Sequence, residues 1–427
     1  MYLLRAAIRD YAWGSATLLA KLQGRVPTGR PEAEMWMGAH PGAPAGAVPV
    51  TDPQAEPVPL DALLERDPEA MLGEAARFGR LPYLVKLLAA GRPLSIQAHP
   101  TIEQAREGFA AEEAAGIPLT APHRNYKDDN HKPEMIVALT PFTALCGFRS
   151  PEDAGTSFTR LAQVLTENAD GDGSGPAAAA AAYAERLGAD GLRQDDGAER
   201  EAAVSALESV FTELLDPAGD WASGDWVRAV VAAVKAAPQA MEDDLNLATA
   251  VGIAEHYPDD PGVLVSVLLD RVDLAPGQAL HLPAGNVHAY VHGLGFEVMA
   301  ASDNVLRGGL TPKHVDVPEL RSVVRFEALP VPYCSPSSEG DGRLLFRPPF
   351  DEFQVERLDL PSADGQALTA RGPVIAVCTA GSVRIDSGSE SAVLAPGESV
   401  FIAASDADAV VHGDGHEPAT LFSVTLP

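Results

Sequence analysis

The stretch GRPLSIQAHP, Gly91 to Pro100, contains two side chains able to ligate a metal, Gln97 and His99, two residues apart. The run is typical of a strand, and alternate residues of a strand point to one face. We therefore expect the amide and the imidazole to lie side by side. A histidine on the buried face of a sheet is most often an ordinary core residue, so it is the neighbouring amide that needs an explanation.

The composition limits the partners of this chain. It has 427 residues, of which 46% are hydrophobic, enough for a well-buried globular protein of two or three domains. With 60 acidic and 31 basic residues, the formal net charge is −29. This charge argues against nucleic acid and anionic membranes as partners, because no basic excess is available to neutralise phosphates. An anionic substrate would need a locally positive pocket.

The cysteines and the amino terminus indicate the compartment. Cys146, Cys334 and Cys378 are scattered without a CxxC motif, which fits a reducing environment. The start MYLLRAAIRDYAWGS reaches Arg and Asp before a signal-peptide core could form, and no apolar run approaches membrane-spanning length. We therefore expect a cytoplasmic protein with no membrane partner.

The chain divides into three regions with different sequence patterns. Residues 1 to about 150 mix short apolar runs with Pro and Gly, interrupted by a helical pattern in LDALLERDPEAMLGEAARF. From Ser150 to about Tyr257 the pattern is helical, and after DDPGVLVSVLLDRVDLAPGQ it is β-like to the end. This order predicts a mainly β protein in which one β domain carries an α-helical insertion and a second β domain follows.

An internal repeat links the two β regions. LAPGQALHLPAG, Leu274 to Gly285, aligns with LAPGESVFIAAS, Leu394 to Ser405, through the same Leu-Ala-Pro-Gly turn and a following apolar strand. The alignment predicts two similar β modules, although a Pro-Gly turn before a strand is common enough for chance similarity to be an alternative. Here Asp408 stands where the first copy has His288.

Two spacings in the first β region resemble the paired motifs of the cupin superfamily, a jelly-roll barrel with a metal at its centre. One runs from Gly91 through Gln97 to His99, and the other is a Gly-Pro-Gly-His pattern from Gly277 to His288. Cupins usually place a carboxylate soon after the first pair, but here Glu103 begins what reads as a surface helix. The carboxylate available farther on is Glu134, which precedes the apolar run MIVAL.

That departure points to the type I mannose-6-phosphate isomerases (phosphomannose isomerases), which this chain resembles in five segments in the same order. They are YAWGS, AEMWMGAHP, SIQAHP, NYKDDNHKPEMIVALTPFTALCGFR and LPAGNVHAYVHGLGFEVMAASDNVLRGGLTPKHVDV. The resemblance covers residues 1 to about 150 and 265 to 320. It implies two cupin-type jelly-roll β-barrels plus a helical domain.

The implied domain order is a catalytic cupin domain in two parts, residues 1–150 and 258–325, a helical insertion, residues 151–257, and a C-terminal cupin domain, residues 326–427. The C-terminal module should not hold metal, because GPVIAVCTAGSVRIDS contains no histidine. His412 and His416 read as surface residues of a loop beyond the strand. We therefore expect one metal ion per chain.

The resemblance implies that this metal is zinc. It assigns four ligands, Gln97, His99, Glu134 and His288. Two imidazoles, a carboxylate and a neutral amide suit a divalent borderline ion and leave positions open for substrate or water. His131 and His281 lie in the same segments and are expected to orient neighbours without touching the metal.

The implied reaction interconverts mannose 6-phosphate and fructose 6-phosphate through an enediol and feeds mannose metabolism. It needs a polarised carbonyl, a base on one face of the sugar and proton movement between two oxygens. Glu297 is the expected base, with Asp303 next, although Glu297 could instead be a rim residue bonded to Arg307. Lys313 is expected to carry protons between O1 and O2, and Arg307 to stabilise negative charge.

Lysine usage is a separate indication. The chain has only six lysines, whereas its other basic residues are arginines. A lysine in such a chain indicates a need for a compact ammonium or a phosphate contact. For the reaction that the resemblance implies, Ser95 and Lys86 are expected to capture the phosphate, with Lys132 contributing positive charge. Lys21 and Lys235 read as surface charges.

Two other functions stay open at this stage. A different metal-dependent enzyme on the same two barrels, such as an oxygenase, would not require the Lys, Ser and Arg set. A non-catalytic sugar-binding or storage protein could lose its metal and base residues, which the first module retains. The expected partner is a small sugar phosphate, and the protein is expected to be a monomer.

Overall fold

The computed structural model describes residues 1–168, 175–188, 197–361, 363–406, 408–415 and 417–427. His416 lies outside these ranges. The described chain is mostly β-sheet with one helical region, which confirms the expected class. None of the helices in these ranges is long and apolar enough to cross a membrane.

The α-helices of the described chain are numbered in chain order. They are α1 (Leu18–Leu22), α2 (Leu60–Arg66), α3 (Pro68–Leu72), α4 (Ile102–Ala114), α5 (Pro151–Asn168), α6 (Pro176–Arg186), α7 (Gly197–Leu214), α8 (Asp225–Ala236), α9 (Pro238–Asp243), α10 (Leu245–Ala254), α11 (Gly262–Val265) and α12 (Val317–Val323). Short 3₁₀ turns lie at Gly73–Phe78, Asp220–Ser223, Ser266–Leu268 and Ala404–Asp406.

Local chemistry explains where these helices begin and which face they bury. The pattern LDALLERDPEAMLGEAARF is broken into α2, α3 and a 3₁₀ turn, because Asp67 caps a new helix that starts with proline. Helix α4 begins with a capping box formed by Thr101 and Gln104. In α8, three valines recur at helical spacing and are buried on one face, Val227, Val230 and Val234.

The strands are also numbered in chain order. They are β1 (Tyr2–Arg5), β2 (Ala7–Arg9), β3 (Glu34–Met37), β4 (Gly46–Pro49), β5 (Val58–Pro59), β6 (Tyr83–Ala90), β7 (Gln97–Ala98), β8 (Glu134–Ala138), β9 (Phe142–Phe148), β10 (Leu269–Leu274), β11 (Ala279–Leu282), β12 (His288–Ala300), β13 (Leu306–Arg307), β14 (Ser337–Gly340), β15 (Arg343–Phe346), β16 (Gln354–Leu360), β17 (Gln366–Ala367), β18 (Val374–Ala380), β19 (Val383–Ser387), β20 (Glu390–Leu394), β21 (Ser399–Ile402), β22 (Ala409–Gly413) and β23 (Ala419–Thr425).

These strands form three sheets. The first runs β10-β9-β12-β6-β3-β2, with β7 and β8 also paired to β12, β11 paired to β8 and β13 paired to β7. The second runs β14-β15-β16-β23-β18-β21-β1-β4-β5, and the third runs β17-β22-β19-β20. Strand β6 is buried along its whole length, because it lies between β12 and β3 and carries the apolar run YLVKLLAA.

The first two sheets pack against one another. Phe296 of β12 stacks on Phe422 of β23 with ring centroids 4.7 Å apart, inside one continuous apolar cluster. The chain start contributes to both sheets, since β1 pairs with β21 of the second sheet through Leu3 opposite Val400, and β2 pairs with β3 of the first. Residues near the amino terminus therefore help to hold the C-terminal strands.

The repeat inferred from sequence is confirmed in local structure. In both copies a strand ends at the leucine, Leu274 or Leu394, and the turn glycine has positive φ, 88° for Gly277 and 85° for Gly397. The next strand, β11 or β21, then starts two residues later. The expectation for His412 was wrong, because it lies in β22 and pairs with Asp386 at 3.2 Å rather than lying in a loop.

Candidate active site and family

Strand β12 brings most of the candidate site together. His288 lies opposite Gln97 of β7, and Glu297 lies opposite Lys86 of β6. Residues nine apart point to opposite faces of a regular strand, so His288 and Glu297 would normally be separated. The pairing of β12 with β9 shifts register between Tyr290 and His292, which inserts one extra residue. This bulge restores the phase and turns both side chains to the same face.

Three of the four predicted metal ligands converge in the core. Suitable donor atoms of His99, Glu134 and His288 all lie within 4.8 Å of one another, and the three residues are buried. Glu134 Oε1 is 3.3 Å from His99 Nε2, and Glu134 Oε2 is 3.4 Å from His288 Nε2. In the described part of the chain, His99 Nε2 and Glu134 Oε2 form no hydrogen bond. Buried polar atoms without a hydrogen bond fit a site that takes a cation.

The backbone orients both imidazoles for this task. His99 Nδ1 lies 2.8 Å from the carbonyl of Asn304, and His288 Nδ1 lies 3.1 Å from the carbonyl of Asn286. An Nδ1–H donated to a carbonyl leaves Nε2 with a free lone pair for a metal. Burial also lowers the pKa of His99 to about 4, so this imidazole is neutral near pH 7.

Gln97 lies beside this trio. The strand predicted around it is only two residues long, and His99 follows its end. Gln97 Nε2 is 3.3 Å from His288 Nε2, so rotating the amide by half a turn would present its oxygen to the same place. The four predicted ligands are thus neighbours, and their chemistry suits zinc.

Each of the two buried lysines forms an ion pair with a carboxylate. Lys132 Nζ lies 2.8 Å from Glu134 Oε1, and Lys86 Nζ lies 2.9 Å from Glu297 Oε2. Burial raises the pKa of Glu134, but Lys132 and His99 oppose it, and the net effect holds this pKa well below its usual value. Lys132 thus helps to keep Glu134 ionised.

Glu297 is not a rim residue. It is 2% exposed and its ion-pair partner is Lys86, so the alternative of a rim pair with Arg307 was wrong. Burial raises the pKa of this carboxyl above its usual value, although the Lys86 ammonium acts in the opposite direction. A buried carboxylate with a raised pKa, close to a cation site, has the properties of a general base.

Arg307 and Lys313 differ from the other two cations. In the described ranges neither forms an ion pair with a carboxylate. Arg307, on β13, lies opposite Gln97, and burial lowers its pKa. Burial also lowers the pKa of Lys313, and the charge of Arg307 lowers it further. These two neighbouring cations are available to an anion. Ser95 is half-buried, and the described residues make no hydrogen bond to its side chain.

The other two histidines singled out in the sequence, His131 and His281, contact the loop between β15 and β16. His131 Nε2 is 2.5 Å from Glu352 Oε1, and His281 packs edge-on against Phe350. Lys127 is structural, since its Nζ donates to the carbonyls of Leu119 and Ala121.

Sequence reasoning assigned no role to Glu34 and Trp36, within AEMWMGAHP. Glu34 Oε1 lies 3.4 Å from Lys86 Nζ, and Trp36 Nε1 donates to Glu34 Oε2 at 2.8 Å. A buried glutamate in an otherwise apolar strand was the available signal. His40 and Asp303 also pair there, with Nε2 and Oδ2 3.3 Å apart.

Comparison with known proteins agrees with this geometry. Residues 1–151 match the family described as phosphomannose isomerase type I, catalytic domain. The chain is 40% identical over 414 residues to the mannose-6-phosphate isomerase of Escherichia coli K12, covering 96% of both proteins. It is 30% identical over 464 residues to that of Aspergillus fumigatus, covering 98% of this chain and 95% of the relative.

A solved structure is similar over the whole chain. It is the mannose 6-phosphate isomerase of Salmonella typhimurium bound to fructose 6-phosphate and zinc, with a TM-score of 0.83 and 36% sequence identity. The match covers 100% of this chain and 99% of that one. Identity at this level from end to end places the protein in the type I mannose-6-phosphate isomerase family.

Proposed function

We propose that this protein is a zinc-dependent isomerase that interconverts mannose 6-phosphate and fructose 6-phosphate. The observation that carries the proposal is the buried Lys86–Glu297 ion pair on the same face of the sheet as the cluster of His99, Glu134 and His288. The relative of known structure binds fructose 6-phosphate and zinc, and it aligns with the full length of this chain.

The metal site is proposed to consist of Gln97, His99, Glu134 and His288. When bound, zinc would act as a Lewis acid toward the oxygens at C1 and C2 of the sugar. The imidazoles are held by backbone carbonyls, so their Nε2 atoms are fixed before any metal arrives.

Glu297 is proposed to be the base. In the forward direction its carboxylate removes the proton from C2 of open-chain mannose 6-phosphate and returns it to C1, through an enediol. Lys86 holds the carboxylate in place. Lys313 is proposed to move protons between O1 and O2, and Arg307 to stabilise the negative charge that develops there.

The phosphate contacts are a separate question. The resemblance assigned the phosphate to Ser95, Lys86 and Lys132, and that assignment stays a prediction. The contacts favour a different division, because Lys86 and Lys132 each form an ion pair with a buried carboxylate. As the alternative to their roles at O1 and O2, we propose that Arg307 and Lys313 supply the positive charge that an incoming phosphate meets on this acidic protein.

The two β regions are proposed to be cupin-type jelly-roll barrels with the helical region between them. The shared strand-turn-strand geometry at Gly277 and Gly397 supports this. The proposed boundaries are residues 1–150 with 258–325 for the catalytic domain, 151–257 for the helical domain and 326–427 for the C-terminal domain. We further propose one zinc per chain, a monomer and a cytoplasmic location.

The decisive experiment is an assay of the interconversion of the two sugar phosphates with and without a chelator. We expect activity that a chelator abolishes and added zinc restores. Purified, zinc-loaded protein that shows no interconversion would overturn the proposal. It would return attention to another metal-dependent reaction on this fold or to sugar binding without catalysis.

A further inference from the structure

One buried ammonium is shared by two carboxylates next to the proposed base. Lys86 Nζ lies 2.9 Å from Glu297 Oε2 and 3.4 Å from Glu34 Oε1. The three residues are on adjacent strands, β12, β6 and β3, and at most 6% of each is exposed. A buried ammonium without an ionised partner costs free energy. The two carboxylates therefore hold the Lys86 ammonium in place.

Trp36 fixes the carboxylate of Glu34. Its Nε1–H donates to Glu34 Oε2 at 2.8 Å, which leaves Oε1 for the ammonium. The Trp36 ring also covers Lys86 Nζ, 5.3 Å from the ring centroid, and the two residues are directly opposite each other between β3 and β6. The indole is packed in turn against the edge of His40, with centroids 5.0 Å apart.

We infer that Glu34 is a positioning residue. Trp36 fixes the Glu34 carboxylate, and this carboxylate shares the Lys86 ammonium with Glu297. The shared ammonium is thereby held where it orients Glu297. This inference rests on the proposed function, in which Glu297 is the base. No contact between Glu34 and the four proposed metal ligands is found in the described residues. Glu34 therefore acts through Lys86.

The charge balance makes the inference testable by pH. The groups that face Glu297 are Lys86 from β6, Glu34 from β3, Glu134 from β8 and Lys132 beside it, with Tyr290 on its own strand. The negative charge of Glu34 raises the pKa of Glu297. Replacing Glu34 by neutral glutamine removes that charge and leaves the ammonium to Glu297, and both effects lower this pKa.

The experiment compares the pH dependence of kcat/KM in zinc-loaded Glu34→Gln, Glu34→Asp and wild-type protein. We expect the acid limb of Glu34→Gln to move to lower pH and kcat to fall about 10-fold, as for a weaker and less well placed base. Glu34→Asp keeps the charge and should keep the wild-type limb. Trp36→Phe, which lacks the N–H donor, should lower kcat less than Glu34→Gln.

Glu32→Gln is the matched control. Glu32 is also 6% exposed, but its carboxylate pairs with Arg25 instead of Lys86. The Glu32→Gln variant should have a lower Tm but the same acid limb of kcat/KM as the wild type. A Glu34→Gln profile that coincides with wild type, with only a lower Tm, would show a purely structural role and overturn the inference. If Glu34→Gln does not fold, the other two variants decide. The inference is overturned if Trp36→Phe has the wild-type kcat and the acid limb of kcat/KM in Glu34→Asp is shifted.

The proposed function fails by a different result. If Glu297→Gln isomerises as fast as wild type, the base assignment is lost, whatever the Glu34 variants do. If Glu297→Gln is inactive and the limb of Glu34→Gln is unmoved, only the role of Glu34 is lost. Zinc content, measured for each variant, should stay at one per chain.

Discussion

The ammonium of Lys132 lies 2.8 Å from Glu134 Oε1, the same oxygen that faces His99 Nε2 at 3.3 Å. Both residues of this ion pair are buried. An ammonium held by a proposed metal ligand is poorly placed to reach a phosphate as well. The ion pair therefore favours one role for Lys132, which is to keep the proposed metal ligand Glu134 ionised. The role that the resemblance implied, a positive charge for the phosphate, is left to other residues.

Lys132→Met should lower kcat about 10-fold and leave KM for mannose 6-phosphate nearly unchanged, since it removes a partner of Glu134 and no substrate contact. Steady-state kinetics of the zinc-loaded variant measure this, with Lys21→Met, an exposed lysine, as the control. A large rise in KM at constant kcat would instead restore Lys132 to the phosphate.

Lys313→Met should raise KM for both sugar phosphates about 10-fold, because Lys313 is one of the two cations of the site without a carboxylate partner among the described residues. The dependence of kcat/KM on salt should weaken at the same time. Lys235→Met, on the exposed side of α8, is the matched control. An unchanged KM together with a lower kcat would exclude Lys313 from phosphate binding and leave it the proton transfer between O1 and O2.

Glu297→Gln should lower kcat by about 10²-fold or more, because glutamine keeps the shape of the side chain but cannot accept the proton. Isomerisation by the wild type in deuterated water should place deuterium at C1 or C2, which nuclear magnetic resonance detects. A direct hydride shift would leave both carbons without deuterium, and that result would argue against a carboxylate base.

Purified protein should contain one zinc per chain, all of it in the first β region. Elemental analysis after dialysis should show near-complete loss in His288→Ala, because this removes a ligand that is 1% exposed. His412→Ala should keep its zinc, since His412, in β22, pairs with Asp386 of β19, and Asp408 is exposed. Two zinc ions per chain would make the C-terminal module a second site.

Asp270 should make the protein less stable as the pH rises. Burial raises the pKa of Asp270 to about 6 from its ordinary value of 3.8. Between these values the folded state binds more protons than the unfolded state, so the free energy of unfolding falls as the pH increases through that window. Denaturant unfolding should show Asp270→Asn to be more stable than wild type at pH 8, with a smaller difference at pH 5. An equal difference at both pH values would contradict this.

Several features followed from the sequence alone because they depend on local pattern or on short motifs. The helical block after Ser150 shows its 3.6-residue period, and the two Leu-Ala-Pro-Gly turns recur with the same backbone geometry. The segments containing His99, Glu134 and His288 were recognised by their resemblance to motifs of a known family, and the fold brings these three residues together.

Other features were decided only by the tertiary structure, because they depend on register between distant strands. The bulge after Tyr290 turns Glu297 toward His288, against the parity of a regular strand. Lys86 pairs with Glu297 and Glu34, which lie 211 and 52 positions away from it in the chain. No local sequence period indicates that these three residues meet. A lysine that reads as a phosphate contact in sequence becomes, once those strands pair, the bridge between two buried carboxylates.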